Sequence, residues 1–90
     1  MVLDFNRAEI EGRIARAAAY LGIAGGFDGF RARIVDLRAD LNIPAGLAAM
    51  GVEESRLDDL TAMALEDPSC DGNPVRMTRD NTRALFETCL

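Results

Sequence analysis

The chain contains no histidine, so the side chains left for metal binding or acid–base chemistry are fifteen carboxylates and the cysteines Cys70 and Cys89. Iron and zinc sites usually include imidazole ligands, and two cysteines nineteen positions apart do not complete such a site alone. Histidine is also the commonest general base in proton transfer. We therefore expect no catalytic residues and no metal ligands within these ninety positions.

The carboxylates occur as adjacent pairs rather than as a converging set. Glu53-Glu54 and Asp58-Asp59 lie near the predicted start of a helix, where neighbouring side chains point in different directions and acids complement the helix dipole. The Gly25-Gly26 pair follows no predicted strand and lacks the spacing of a phosphate-binding loop. We expect the acids to lie at a solvent-exposed helix start. We also expect no cofactor-binding residues in the chain.

One long segment, from Asp67 to Thr78, follows neither a helical nor a strand period. Pro68 ends the preceding helix, Pro74 fixes φ, and Gly72 permits a positive φ, so the segment is predicted to be a shaped loop between two helices. Such a loop can present the Cys70 thiol to a cleft, or it can carry a small residue at the surface. The residues alone leave both interpretations open.

Four stretches have apolar residues at the three- and four-residue spacings of amphipathic helices. The first is predicted to start at Asn6, as N-cap of a capping box with Glu9, and to end at Gly22. The predicted inward faces are, in chain order, Ile10, Ile14, Ala17, Ala18 and Leu21; Phe27, Phe30, Ile34, Leu37 and Leu41; Leu57, Leu60, Met63 and Ala64; and Thr82, Leu85, Phe86 and Cys89.

The connections complete the predicted architecture. Asn42 and Pro44 end the second helix, one or two helical turns follow between Ala45 and Met50, and Thr78 caps the last helix. No window shows strand-like alternation, so the predicted fold is all-α: an irregular bundle of four to five short helices with a structured Cys/Gly/Asn-Pro loop. The second helix is expected to be a core helix, because it has too few heptads for a coiled coil.

Charge and hydropathy exclude several classes of function. The net charge is −5, and residues 46–90 carry nine acids against four arginines. Without a basic stripe, binding to nucleic acid is not expected. No apolar run approaches the roughly 20 residues that span a bilayer, and no secretory signal opens the chain. A cytoplasmic location with reduced thiols is the expectation.

The order of motifs resembles one enzyme family. From Leu65 to Leu85 the chain has an apolar helix end, a loop with Cys and Gly, the pair Asn73-Pro74, a basic residue and a short helix begun by Thr78. This order resembles the C-terminal end of the iron-containing alcohol dehydrogenases. The likeness extends over nearly the whole chain through further matches: Val2-Leu3-Asp4-Phe5-Asn6, Asn42-Ile43-Pro44, Leu47 and Gly51-Val52.

The resemblance implies that residues 1–90 are a single C-terminal helical segment of an NAD(P)-dependent oxidoreductase. Such an enzyme transfers hydride between an alcohol and a carbonyl with the help of a divalent metal, iron or zinc. The family's histidine and aspartate metal ligands and its nucleotide-binding domain have no counterpart here, so the chain alone is expected to be catalytically silent. The residues that the resemblance places at the border of the substrate cleft are Ser69, Cys70, Gly72, Asn73 and Pro74.

Two kinds of partner are expected for the chain. The segment is expected to bind the missing portion of its parent enzyme, or to associate with itself through uncovered apolar surface. The alternative is a free-standing small helical protein that serves as a protein-interaction module. Neither nucleic acid nor a membrane is an expected partner.

Overall fold

The computed structural model describes residues 2–90 and confirms the all-α fold. It contains five α-helices: α1 (Val2–Phe5), α2 (Arg7–Tyr20), α3 (Gly26–Asp40), α4 (Leu57–Glu66) and α5 (Arg79–Cys89). Short 3-10 helices at Ala48–Met50, Glu54–Arg56 and Pro68–Gly72 complete the described part of the chain. None of the helices in residues 2–90 has the length and apolar character needed to cross a bilayer.

The α-helices pack as two pairs. α2 packs against α3, and α4 packs against α5. The buried apolar residues among residues 2–90 follow this division, since Ala18 and Phe27 lie in the first pair and Leu57 lies in the second. Thr61 and Thr82 complete the interior of the second pair.

Two features stabilise the first helix pair: the glycine at the end of α2 and an arginine at its start. Gly22 adopts φ 70°, and Ile23 N donates to Ala18 O at 2.9 Å, which gives the glycine C-terminus predicted for α2. The Arg7 guanidinium lies 4.6 Å from the centre of the Phe27 ring and pairs with Asp28 at 2.9 Å. These contacts fix the start of α3 against the start of α2.

α1 was not predicted, and its position is set by a second arginine. Arg31 on α3 donates to both carboxylate oxygens of Asp4, at 2.6 and 3.0 Å. These bonds lower the pKa of the Asp4 carboxyl below its usual value. This ion pair links α1 to α3.

The prediction that α3 is a core helix is correct only for its first half. Phe27 is buried, and Phe30 and Ile34 are half-buried, whereas Leu37 is 41% exposed and Leu41 is 61% exposed. The helix extends beyond the residues of α2 that cover it. Asn42 ends it, with φ 55° and Ile43 N bonded to Arg38 O, as predicted from the sequence.

The inward face predicted for α4 is wrong at one position. Met63 is 62% exposed, and Thr61 is fully buried instead. The Thr61 hydroxyl donates to Leu57 O at 2.7 Å, so the backbone of the preceding turn satisfies its polar atom. A threonine can therefore occupy a buried helix position that the apolar pattern did not include.

The last helix agrees with its prediction. Thr78 caps α5 and forms a capping box with Asn81, in which Asn81 Oδ1 accepts from Thr78 N at 2.8 Å. Thr82 is buried, and Leu85 and Phe86 are half-buried on the face that was predicted to point inward.

Backbone bonds connect the segment between α3 and α4 to the C-terminal end of α5. Leu47 N donates to Cys89 O at 2.7 Å, and Ala48 N donates to Leu90 O at 3.1 Å. An added Cβ at Gly46 would lie only 2.8 Å from Leu90 O, so the close approach requires a glycine. The segment between α3 and α4 is thereby anchored to the end of α5.

Candidate functional site

The Cys/Gly/Asn-Pro loop is a defined turn rather than an irregular coil. Asp67 caps the 3-10 helix Pro68–Gly72: its Oδ1 accepts from Ser69 N at 2.8 Å and from the Ser69 hydroxyl. The serine hydroxyl, with the backbone N–H second, lowers the pKa of the Asp67 carboxyl. Pro68 suits the first helical position, because a backbone N–H at that position would have no acceptor within the helix. Backbone bonds from Cys70 N to Asp67 O and from Asn73 N to Cys70 O complete the turn.

Gly72 does not have the role that the sequence suggested. Its φ is not positive, and an added Cβ would meet nothing within 4 Å. The loop therefore takes its shape from Asp67, Pro68 and the backbone bonds rather than from a left-handed glycine.

Asn73 attaches this loop to the other end of the chain. Asn6 Nδ2 donates to Asn73 Oδ1 at 2.7 Å, and Asn73 Nδ2 donates to Asn6 Oδ1 at 2.9 Å. Asn73 Nδ2 also lies 2.7 Å from Val75 O. Asn6 is only 5% exposed, so the two amides form a paired link in the interior.

The predicted capping box at Asn6 is therefore wrong. Asn6 does precede α2, but its side chain makes no capping bond because it is occupied by Asn73. The pairing joins residues 67 positions apart, and no local pattern indicates it.

A cleft of about 340 Å³ lies beside the loop. Cys70, Asn73 and Pro74 line it together with four other residues: Leu65, Asp71, Arg76 and Met77. Ser69 faces a neighbouring groove of about 290 Å³, which Cys70 and Asn73 share. Gly72 lines neither space. The structure thus brings three of the five predicted border residues to one cleft, and their contact with a substrate stays a prediction.

Cys70 is a half-buried free thiol at this cleft. Asp71 and Arg76 line the same space, so charged residues of both signs border this cleft. Cys89 is also free and half-buried, on the apolar face of α5 that was predicted for it.

Comparison with known families decides the identity of the chain. A family model described as Fe-containing alcohol dehydrogenase family, C-terminal, matches residues 1–90. The chain belongs to the iron-containing alcohol dehydrogenase family. No curated protein and no solved structure matches it.

The residues of this iron-containing alcohol dehydrogenase chain do not fit the metal that the family implies. Within residues 2–90 no three His, Cys, Asp or Glu side chains are grouped as a metal site would require, and the sequence has no histidine. The two acids at the start of α4 have separate arginine partners: Asp58 is bound to Arg83 at 3.0 Å, and Asp59 pairs with Arg56 at 3.4 Å.

The nucleotide that the family implies does not fit these residues either. Dinucleotide sites of the Rossmann type use a glycine-rich turn between a strand and a helix, and residues 2–90 contain no strand. Gly25 and Gly26 both have positive φ, and they close the turn between α2 and α3. In this member of the alcohol dehydrogenase family, both glycines therefore form part of the connection between two helices.

Sequence reasoning missed two residues that shape the loop. Asp67 was predicted only as the first residue of the loop, although an aspartate directly before Pro and Ser is a typical N-cap signal. Asn6 was assigned to the wrong partner, and a single sequence contains no signal for its pairing with Asn73.

Proposed function

We propose that the chain is the C-terminal helical part of an NAD(P)-dependent alcohol dehydrogenase of the iron-containing family. In the complete enzyme, hydride passes between the nicotinamide and an alcohol or carbonyl, and the metal supplies polarisation of the substrate oxygen. Polypeptide outside these ninety residues supplies the metal ligands and the nucleotide-binding residues. The chain itself contributes the loop around Cys70 and the helices that support it.

One observation supports this proposal most strongly. Two motifs of the family resemblance that lie far apart in the chain, Phe5-Asn6 and Asn73-Pro74, meet through the Asn6–Asn73 amide pair. The family match along the whole chain is thereby accompanied by a direct contact between two of the matched motifs. This contact holds the Asn-Pro loop in one position relative to the segment that leads into α2.

The loop's part in the enzyme is to border the substrate end of the cleft. Cys70, Asn73 and Pro74 line a space of about 340 Å³ that contains both polar and apolar side chains. A small alcohol or carbonyl compound fits this mixture, because it offers one polar oxygen and an apolar chain. Asn73 positions the loop, since its amide is already bonded to Asn6 and Val75.

A second proposal is that the chain is a free-standing interaction module in the cytoplasm. The exposed apolar side chains support it, among them Val2 at 53% and Met50 at 65% exposure. Neither nucleic acid nor a membrane belongs to this proposal.

Sequencing the DNA upstream of Met1 tests the two proposals against each other. An open reading frame that continues into Met1 and encodes a glycine-rich nucleotide motif and a histidine-bearing helix supports the oxidoreductase proposal. An in-frame stop codon directly before Met1, with no such frame nearby, overturns it and supports the module.

A further inference from the structure

An apolar cavity of about 280 Å³ lies beside the α4–α5 pair. Six of the residues that line it are Val2, Leu47, Ala64, Met77, Leu85 and Phe86. The surface that the lining presents to the cavity is entirely apolar. Thr82 also lines it, but its hydroxyl oxygen lies 3.4 Å from Asn81 Oδ1, to which it donates. An occupant of the apolar cavity therefore contacts hydrocarbon and sulfur.

This lining suits an alkyl chain better than water. A water molecule inside a protein needs about two to four polar partners, whereas an apolar cavity of about 150 Å³ in another protein stays dry and binds benzene. Among residues 2–90, no buried side-chain nitrogen or oxygen lacks a hydrogen-bond partner, so none is left to hold water in the cavity. The apolar cavity has the chemistry of a site for a hydrocarbon group.

Met77 connects the apolar cavity to the candidate site. It lines the cavity, the cleft of about 340 Å³ beside Cys70, and the neighbouring groove of about 290 Å³. The groove shares Cys70 and Asn73 with the cleft, and it shares Ala64 and Leu85 with the cavity. Asn73 Nδ2 donates to Met77 Sδ at 3.3 Å, which places the thioether beside the loop. The three spaces are thus adjacent, with a flexible side chain at their junction.

The cleft beside Cys70 differs from the apolar cavity in polarity. Asp71 and Arg76 line the cleft, and within residues 2–90 neither side chain belongs to an ion pair. Both are therefore able to form a hydrogen bond with a hydroxyl group. A ligand that reaches from the cleft to the cavity needs a polar head and an apolar tail.

We propose that the substrate is an unbranched aliphatic alcohol whose hydroxyl end lies in the cleft beside Cys70 and whose alkyl chain passes Met77 into the apolar cavity. The inference rests on the proposed oxidoreductase function, since it names the substrate class of the same loop. Met77 is unbranched and has three rotatable side-chain bonds, so it can adapt to a chain that passes it.

NMR of the reduced chain, with isotope-labelled methionine methyl groups and n-heptanol as the probe, tests the proposal. We expect saturable shifts of the Met77 methyl group and of the Cys70 amide. The Met63 methyl group is the internal reference and should not shift, because Met63 is 62% exposed on α4 and lines none of the three spaces.

Two other alcohols test which end of the ligand enters the cavity. n-Propanol has the same hydroxyl but a shorter chain, and it should bind at least about tenfold more weakly because each buried methylene contributes roughly fourfold in affinity. α,ω-Heptanediol has a second hydroxyl at the far end of the heptanol chain. Its insertion would bury that hydroxyl without a partner, so it should bind at least about fivefold more weakly than n-heptanol.

A matched pair of substitutions on α4 tests the position of the chain. Ala64→Leu adds bulk where the groove and the apolar cavity meet, and it should weaken n-heptanol binding at least about tenfold. Ala62→Leu is the control, because Ala62 is also half-buried on α4 but lines none of the three spaces. It should leave binding unchanged. If Ala64→Leu fails to fold by circular dichroism, the comparison of n-heptanol with the diol decides.

Four results would overturn the proposal: no saturable shift at Met77, a Met77 shift without one at Cys70, equal affinity for the diol, or an equal loss in both alanine variants. A Met63 shift as large as that of Met77 would do so as well. These results concern binding alone. They are therefore distinguishable from a failure of the proposed function, which the DNA upstream of Met1 decides.

Discussion

Two asparagine side chains, Asn6 and Asn73, connect the first residues of the chain to the loop at the candidate site. Each amide both donates to and accepts from the other, at 2.7 and 2.9 Å. Removing one side of such a pair leaves a buried polar group without its partner, which costs more than a lost surface bond. The stability of the loop should therefore depend on the amide chemistry of Asn6.

Asn6→Asp tests this dependence because a carboxylate has the shape of the amide but cannot donate. At pH 7 we expect a loss of about 1–3 kcal/mol in the free energy of unfolding, since Asn73 Oδ1 loses its donor. Burial raises the pKa of the introduced carboxyl, and its protonated form donates again. The pair is thus fully restored below about pH 3.9, the unfolded pKa, and is lost as pH rises through the raised folded pKa.

The measurement is urea unfolding of wild type and Asn6→Asp from pH 3.5 to 7. The difference in the free energy of unfolding between the two proteins should shrink at the acid end. A difference that is constant with pH would show that the donor at this position does not matter.

Asp67 gives a second prediction at the scale of one residue. The Ser69 hydroxyl and N–H lower the pKa of this carboxyl, so they contribute stability above its unfolded pKa of about 3.9, which is lost as pH falls through the folded pKa. In a carboxyl NMR titration, Ser69→Ala should raise the pKa of Asp67 part of the way to its ordinary value, because the N–H bond remains. Ser55→Ala should leave it unchanged. An Asp67 pKa that does not respond to Ser69→Ala would contradict the assigned cause.

At the scale of elements, sequence patterns located the helices well and their buried faces less well. Gly22, Asn42 and Thr78 end or begin helices as predicted, because caps depend on bonds within a few residues. Leu41 and Met63 fit a helical stripe but are exposed, since burial depends on whether another element covers that part of the helix. α3 extends beyond the helix that covers it, and no local sequence pattern indicates where that coverage ends.

The contact between the segment after α3 and the end of α5 gives a prediction for one element. Gly46→Ala would bring a Cβ within 2.8 Å of Leu90 O and 3.2 Å of Cys89 O, so backbone atoms at the end of α5 would have to shift. We expect a loss of about 1–3 kcal/mol in the free energy of unfolding, as for other overpacked positions.

Gly72→Ala is the matched control, because its added Cβ would enter open space and its φ is not positive. It should leave stability unchanged or raise it by up to about 1 kcal/mol through the unfolded chain. Chemical denaturation of both variants measures the comparison. Equal effects of the two substitutions would contradict the close approach at Gly46.

At the scale of the whole molecule, the sequence alone indicated the all-α class, the family and the place of the Cys/Gly/Asn-Pro loop. Helical periodicity and turn residues are local, so they predict the elements around Cys70 and Pro74. The Asn6–Asn73 pair arises from a contact between distant parts of the chain, which those patterns do not encode. The fold was accordingly more predictable than the site.

The donor set of the chain bears on catalysis. The chain has no histidine, and its described acids and cysteines form no group of three, so these residues do not fit a catalytic iron or zinc shell. Under the proposed function, polypeptide outside these ninety residues supplies the metal ligands.

The direct measurement is metal content and turnover of the same purified sample. The reduced chain is incubated with Fe²⁺ or Zn²⁺, separated from free metal, analysed for bound metal and assayed with NAD⁺ or NADP⁺ and short alcohols. We expect metal far below one equivalent and a nicotinamide reduction rate equal to that without protein. One tightly bound equivalent of metal together with alcohol-dependent turnover would contradict the account.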